Sequence, residues 1–266
     1  MRSLGWILLA AAPLFAANNA DLSQQQIDDI IQKFSAKEAE FSKARENYTY
    51  RQTARIQELD ASGVTTGRWE IVSDIIFTDE GRRTEHVVRS PVPTLQQILL
   101  TPEDMEDLRS VQPFVLTTTE LPKYLIRYLG RQQVDEIGCY VFAVKPKKME
   151  GNQRYFEGEV WVDDRDLQVV KSYGRGVGTA NKKNNQFPKF ETYREQIDGK
   201  YWFPTYTIAN DTLHFQDEDV RIRQTVRYED YKQFKSETKI TFGDEVDTGK
   251  KPDPPKPEPA KPPTRP

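Results

Sequence analysis

Residues 124–178 constrain the fold more than any other part of the chain, because they spell out successive antiparallel strands together with their turns. The stretch reads YLIRYLGRQQVDEIGCYVFAVKPKKMEGNQRYFEGEVWVDDRDLQVVKSYGRGVG. Apolar runs of about five to nine residues alternate with turn chemistry at 135–138, 145–151 and 163–166, which is hairpin spacing rather than helical spacing.

The same reading extends both ways. Residues 23–47 predict one long helix, with Ile27, Ile30, Ile31, Phe34, Phe41 and Ala44 near helical spacing, Ser23 as cap, and Lys43 and Arg45 placed against the C-terminal dipole. Strands are expected at 48–59, 68–78 and 82–89, the first two joined by Asp60-Ala61-Ser62-Gly63. In the second, Trp69, Ile71, Ile75 and Phe77 share one parity while Glu70, Asp74 and Thr78 share the other, so one face is apolar and one solvated. Further strands are expected at 123–129, 139–145, 154–163, 167–173, 190–197, 201–209 and 220–231. About ten strands with hairpin-length links predict one antiparallel meander.

Residues 91–114 break the pattern. Leu95, Ile98 and Leu99 occupy a short turn, and Thr101-Pro102-Glu103-Asp104 is a helix start with cap, first-turn proline and acids against the dipole. Met105 and Leu108 then share one side of a second turn. Two readings stand: a lid, or an ordinary crossover packed on the sheet end.

At the N-terminus, Arg2, the apolar run 4–12, Pro13 and small residues up to Ala20 have the layout of a secretory signal peptide, and the run is too short to span a bilayer. The expected division is a signal at 1–20, one domain at 21–246 and a Lys/Pro-rich disordered tail at 247–266, which cannot pack a core. The expected location is periplasmic and soluble. One cysteine, Cys139, excludes an internal disulfide, and a buried thiol is expected. With only His86 and His214 beside it, a Cys/His zinc site is excluded, and 38 basic against 41 acidic residues give no basic field for nucleic acid.

No motif points to catalysis. Gly174-Arg175-Gly176-Val177-Gly178 follows a strand but precedes a polar loop, so the helix that would cradle a phosphate is missing. Asp163-Asp164-Arg165-Asp166 lacks the glycine and distal glutamate of a calcium loop and reads as a solvated hairpin. No Gly-x-Ser-x-Gly elbow is present. The expectation is a non-enzyme without cofactor or metal. The strand aromatics read as core packing, or, since one long helix and two short ones do not fill a large curved sheet, as the lining of a remaining apolar cavity.

Residues 124–178 resemble the LolA/LolB family of periplasmic lipoprotein carriers: a Tyr-Leu-Gly strand end, a Val-Asp-x-x-Gly turn, Tyr-Val-Phe-x-Val-x-Pro-Lys, then Trp-Val-Asp before Leu-Gln-Val-Val-Lys. The proline-rich tail departs from it. The resemblance implies an α+β, mainly antiparallel fold, a curved incomplete barrel of about ten strands with a long N-terminal helix and short lid helices. It also implies carriage of lipoprotein acyl chains or other lipids by reversible burial, with transient membrane contact. An acyl chain resists leaving a membrane by on the order of 10 kcal/mol, so a carrier must offer a dry surface. The candidates are Trp69, Ile71, Ile75 and Phe77, the lid residues Leu99, Met105 and Leu108, and Phe142 and Trp161. The alternative is a non-enzymatic envelope binding module, tethered by its tail to cell wall or another protein.

Overall fold

The computed structural model describes residues 22–78, 80–151, 153–178, 186–216 and 218–233. The expected signal segment and the tail lie outside these. Ten strands form one antiparallel sheet: β1 (Tyr48–Leu59), β2 (Thr65–Phe77), β3 (Arg83–Arg89), β4 (Tyr124–Val134), β5 (Ile137–Pro146), β6 (Arg154–Asp163), β7 (Val169–Gly178), β8 (Phe190–Ile197), β9 (Tyr201–His214) and β10 (Asp219–Gln233). Their order across the sheet is β3-β2-β1-β10-β9-β8-β7-β6-β5-β4, so β3 and β4 are free edges and the sheet is not closed. Every neighbour is a chain neighbour except β1 and β10, which pair from Tyr48↔Gln233 to Leu59↔Arg221.

The sheet is strongly curved. Arg109 Nε lies 3.5 Å from the Glu85 carboxylate on β3, while Asp107, two residues earlier, bonds Arg154 of β6 at 2.6 Å. Seven strand spacings separate β3 from β6, about 34 Å on a flat sheet, so only curling brings both within reach of one helical turn. This is the incomplete barrel expected from the sequence.

Helix α1 (Gln24–Arg45) lies on the concave face. Ser23 and Gln26 close a reciprocal capping box, with bonds of 2.9 and 3.3 Å. Ile30, Phe34, Glu38 and Phe41 form its buried stripe. Phe34 packs tilted on Phe142 of β5 at 5.3 Å between ring centroids, and Phe41 meets Phe203 of β9 edge-on at 5.1 Å. The other stretch that covers the face is residues 90–123, between β3 and β4. It contains α2 (Pro102–Glu106), capped by Thr101 with Asp104, then a π-helical turn at Asp107–Val111 and a 3-10 turn at Leu121–Lys123.

Several strands run longer than their apolar runs. The glycine run 174–178 belongs to β7, paired with β6 from Gly174↔Gly158 to Gly178↔Arg154. Gly158, Gly174 and Gly176 share the concave face and form a backbone floor for two side chains. A Cβ at Gly158 or Gly174 would crowd the Phe156 ring, and one at Gly176 would overlap the Asp107 carboxylate. The run that imitates a phosphate loop is thus a packing device.

Candidate functional site

Residues 90–123 form a strap across the concave face, held at three polar anchors. Glu58 of β1 is fully buried, and its carboxylate accepts the backbone N–H groups of Gln96, Gln97 and Ile98 at 2.7–3.1 Å. Gly67 makes this approach feasible, since a Cβ there would strike Glu58 and the Thr94 carbonyl. The second anchor is the bidentate pair of Arg154 with Asp107, at 2.8 and 2.6 Å. Burial pushes the Asp107 carboxyl up to about 6, against the pull of Arg154. The third is Arg194 of β8, whose Nη1 donates to both oxygens of Glu38 at 2.9 and 3.1 Å while Nη2 donates to the Phe114 carbonyl. Thr192 adds a 2.9 Å bond to the Gln112 carbonyl.

Between these anchors the strap buries apolar side chains in two separate clusters. Leu108 packs with Trp69, Ala54 and Tyr228 over β1, β2 and β10. Val111, Phe114 and Leu116 join Phe34, Phe142 and Phe156 over the other half of the sheet. Phe114 stacks on Phe156 at 4.6 Å.

A cleft of about 1170 Å³ opens between the end of α1, the concave face of β1–β3 and the strap. Phe77, Val111, Phe114 and Phe156 give it an apolar wall, but Arg45, Arg83, Arg109 and Arg154 stand in the same wall. The apolar cavity expected from the strand aromatics is therefore an amphipathic one. Arg83 donates to Glu85 at 3.2 Å and to Gln52 at 3.0 Å, leaving its Nε without a partner. Arg45 Nε is enclosed and also without one, and no carboxylate among the described residues pairs with Arg45. Burial lowers the Arg45 pKa from the usual arginine range.

The candidates from the sequence occupy three places. Trp69, Ile71, Met105 and Leu108 gather in one cluster beneath the strap, and Ile75 is fully buried on the same strand face. Phe77 lines the cleft. Leu99 projects from the strap with 88% of its surface exposed, so it covers nothing. Phe142 sits under α1 in the second cluster. Trp161 is on the convex face with Cys139, Val141 and Val170, its Nε1 donating to Gln132 at 2.9 Å. It cannot reach the cleft, because neighbouring strand residues point to opposite faces.

The residues weighed and set aside also have defined places. Asp163 and Asp166 accept the Arg165 and Gln168 amides at 2.8 and 3.0 Å, and Asp166 also accepts Trp202 Nε1 at 3.0 Å. His214 is exposed and faces Asp219 at 2.8 Å. Cys139 is buried, which raises its thiol to about 11. Among the described residues no group of three His, Cys, Asp or Glu is arranged to hold a metal, and no helix is long and apolar enough to cross a membrane.

No protein-family model and no curated relative matches the chain. Among solved structures it is similar to a LolA superfamily protein from Nitrosomonas europaea, with a TM-score of 0.34 and 13% identity over 76% of this chain and 94% of that one. It is likewise similar to an outer membrane lipoprotein-sorting protein domain from Vibrio parahaemolyticus, TM-score 0.35, 14% identity, covering 80% and 95%. A DUF1329 family protein from Desulfovibrio piger gives 0.38 and 12%, covering 81% and 95%. The element order of the chain itself is a long helix, three strands, a helical insertion and seven more strands.

Proposed function

We propose that the chain is a carrier or binding protein for lipids or lipoprotein acyl chains, which it holds by reversible, non-covalent burial beneath the strap. The observation that carries this reading is the strap itself. It lies over an open curved sheet, leaves a cleft of about 1170 Å³ beside it, and is tied down at a few polar points. A volume of that order suits a ligand of lipid size. Burial of an acyl chain at about 0.8 kcal/mol per methylene supplies the affinity, and release of the strap supplies the exit without covalent chemistry. On this reading residues 1–20 direct export, the carrier acts in the periplasm, residues 21–246 form the binding domain, and the tail from 247 contacts the envelope.

The test is binding of a fluorescent fatty acid to delipidated full-length protein, together with mass spectrometry of lipid extracted from freshly purified material. Saturable binding at micromolar concentration is expected, and Leu108→Glu, which puts a charge beneath the strap, should weaken it. Absence of any bound acyl ligand in both measurements rejects the reading. A second reading, the tethered envelope module, is favoured by one observation: Phe34 and Phe142 are fully buried against each other, so α1 already fills half of the concave face.

A further inference from the structure

Two arginines of the cleft wall keep a buried guanidinium Nε without a partner, Arg45 and Arg83. The wall also holds Arg109 and Arg154 and the carboxylates Glu85, Glu103, Glu106 and Glu120, while the buried Arg194–Glu38 pair is not part of it. Glu38 is occupied by Arg194, and Glu85 is shared between Arg83 and Arg109 at 3.2 and 3.5 Å and also accepts Ser73 at 2.7 Å. Of the other acids in the wall, Glu106 accepts Ser110 at 2.6 Å and Glu120 pairs with Lys123 at 2.8 Å.

Arg45 and Arg83 line the same cleft as Tyr50. Arg83 reaches across β2 to Gln52, which is two residues along the same face of β1 from Tyr50, a distance of about 7 Å. Arg45 packs into the aromatic recess formed by Tyr50, Tyr231 and Phe41. Burial raises the phenols of Tyr228 and Tyr231, which line that recess, well above their ordinary value. An enclosed guanidinium N–H without a partner costs stability, and Arg45 Nε and Arg83 Nε are both in that position. Both nitrogens are donors that an oxyanion would satisfy.

We infer that the cleft binds the anionic head of an amphiphile, a phosphate or carboxylate held between Arg45 and Arg83, with its apolar part along Phe77 and Phe114. The head site stands on these two arginines. The apolar part rests on the lipid-carrier reading, and the two are separable by experiment.

The full-length protein is titrated with a long-chain fatty acid, with its methyl ester, and with inorganic phosphate. The acid should bind about tenfold or more tightly than the ester, the worth of one charge-assisted pair. Arg45→Gln should cut that preference to about threefold or less, and Arg45→Lys should keep most of it. The melting temperature of Arg45→Gln should hold or rise, because the substitution deletes an enclosed N–H without a partner. If that variant fails to fold, Arg83→Gln carries the same comparison.

Equal affinity of wild type for acid and ester overturns the head site and leaves the carrier reading standing. Phosphate binding that Arg45→Gln abolishes, with no binding of acid or ester, supports the head site and removes the carrier reading. Binding of none of the three overturns both.

Discussion

Asp107 shows how a single side chain couples the strap to pH. Its carboxyl is raised to about 6 because burial outweighs the Arg154 guanidinium. The unfolded chain titrates the same group near the usual value of about 3.9. Between the two values the folded state holds a proton that the unfolded state has released. The stability from this group is therefore fully present below the unfolded value and is lost as pH rises through about 6. Asp107→Asn should flatten the slope of denaturant stability against pH over that window, and a carboxyl-carbon NMR titration should find the Asp107 midpoint near 6. Gly176 makes the complementary case. An added methyl has no space beside a carboxylate already clamped by Arg154, so Gly176→Ala should cost about 2 kcal/mol or more in urea unfolding, whereas Arg175→Ala, on the opposite face, should stay within about 0.5 kcal/mol.

At the scale of elements, strap and sheet are joined by polar contacts that differ in kind. Glu58 offers one carboxylate to three consecutive amides, and this ties down only the first part of the strap. Glu58→Gln replaces one accepting oxygen by a donor, so the effect should be local: faster hydrogen exchange at Gln96, Gln97 and Ile98, with a loss of about 2 kcal/mol in global stability. Equal exchange in variant and wild type would show that Leu95 and Ile98, packed on the apolar cluster, hold this part without Glu58. The same contacts explain what was legible in the sequence and what was not. Alternation along 68–78 assigned the correct face to Trp69, Ile71, Ile75 and Phe77. At 160–162 the alternation fails as a signal, because Val160, Trp161 and Val162 are all buried, on both faces of the sheet, and parity alone does not say which face is concave. The anchors carried no local signal at all. Glu58 meets backbone groups 38–40 residues away, and Asp107 meets Arg154 across 47. Arg45 reads naturally as a charge complementing the helix dipole, and only the assembled cleft shows its Nε enclosed without a partner.

On the scale of the whole molecule, nearly all pairing is between chain neighbours, and hairpins of this kind form early and locally. The junction of β1 with β10 is different in kind, joining residues such as Thr49 and Lys232, a separation of 183. The first three strands reach the rest of the sheet through that seam. Without it Ala54, Ile56, Val226 and Tyr228 have no shared core. A chain ending before Asp219 should therefore show no cooperative unfolding of the β1–β3 region by hydrogen exchange, although β4–β9 retain their own pairings. Loop closure over such a distance is slow, and refolding of the full chain should show a late phase in which protection appears in β1 and β10 together. During synthesis the consequence is one of timing: a ribosome must release almost the entire domain before its first strand finds its last, and until then β1–β3 wait without the strand that joins them to the rest of the sheet.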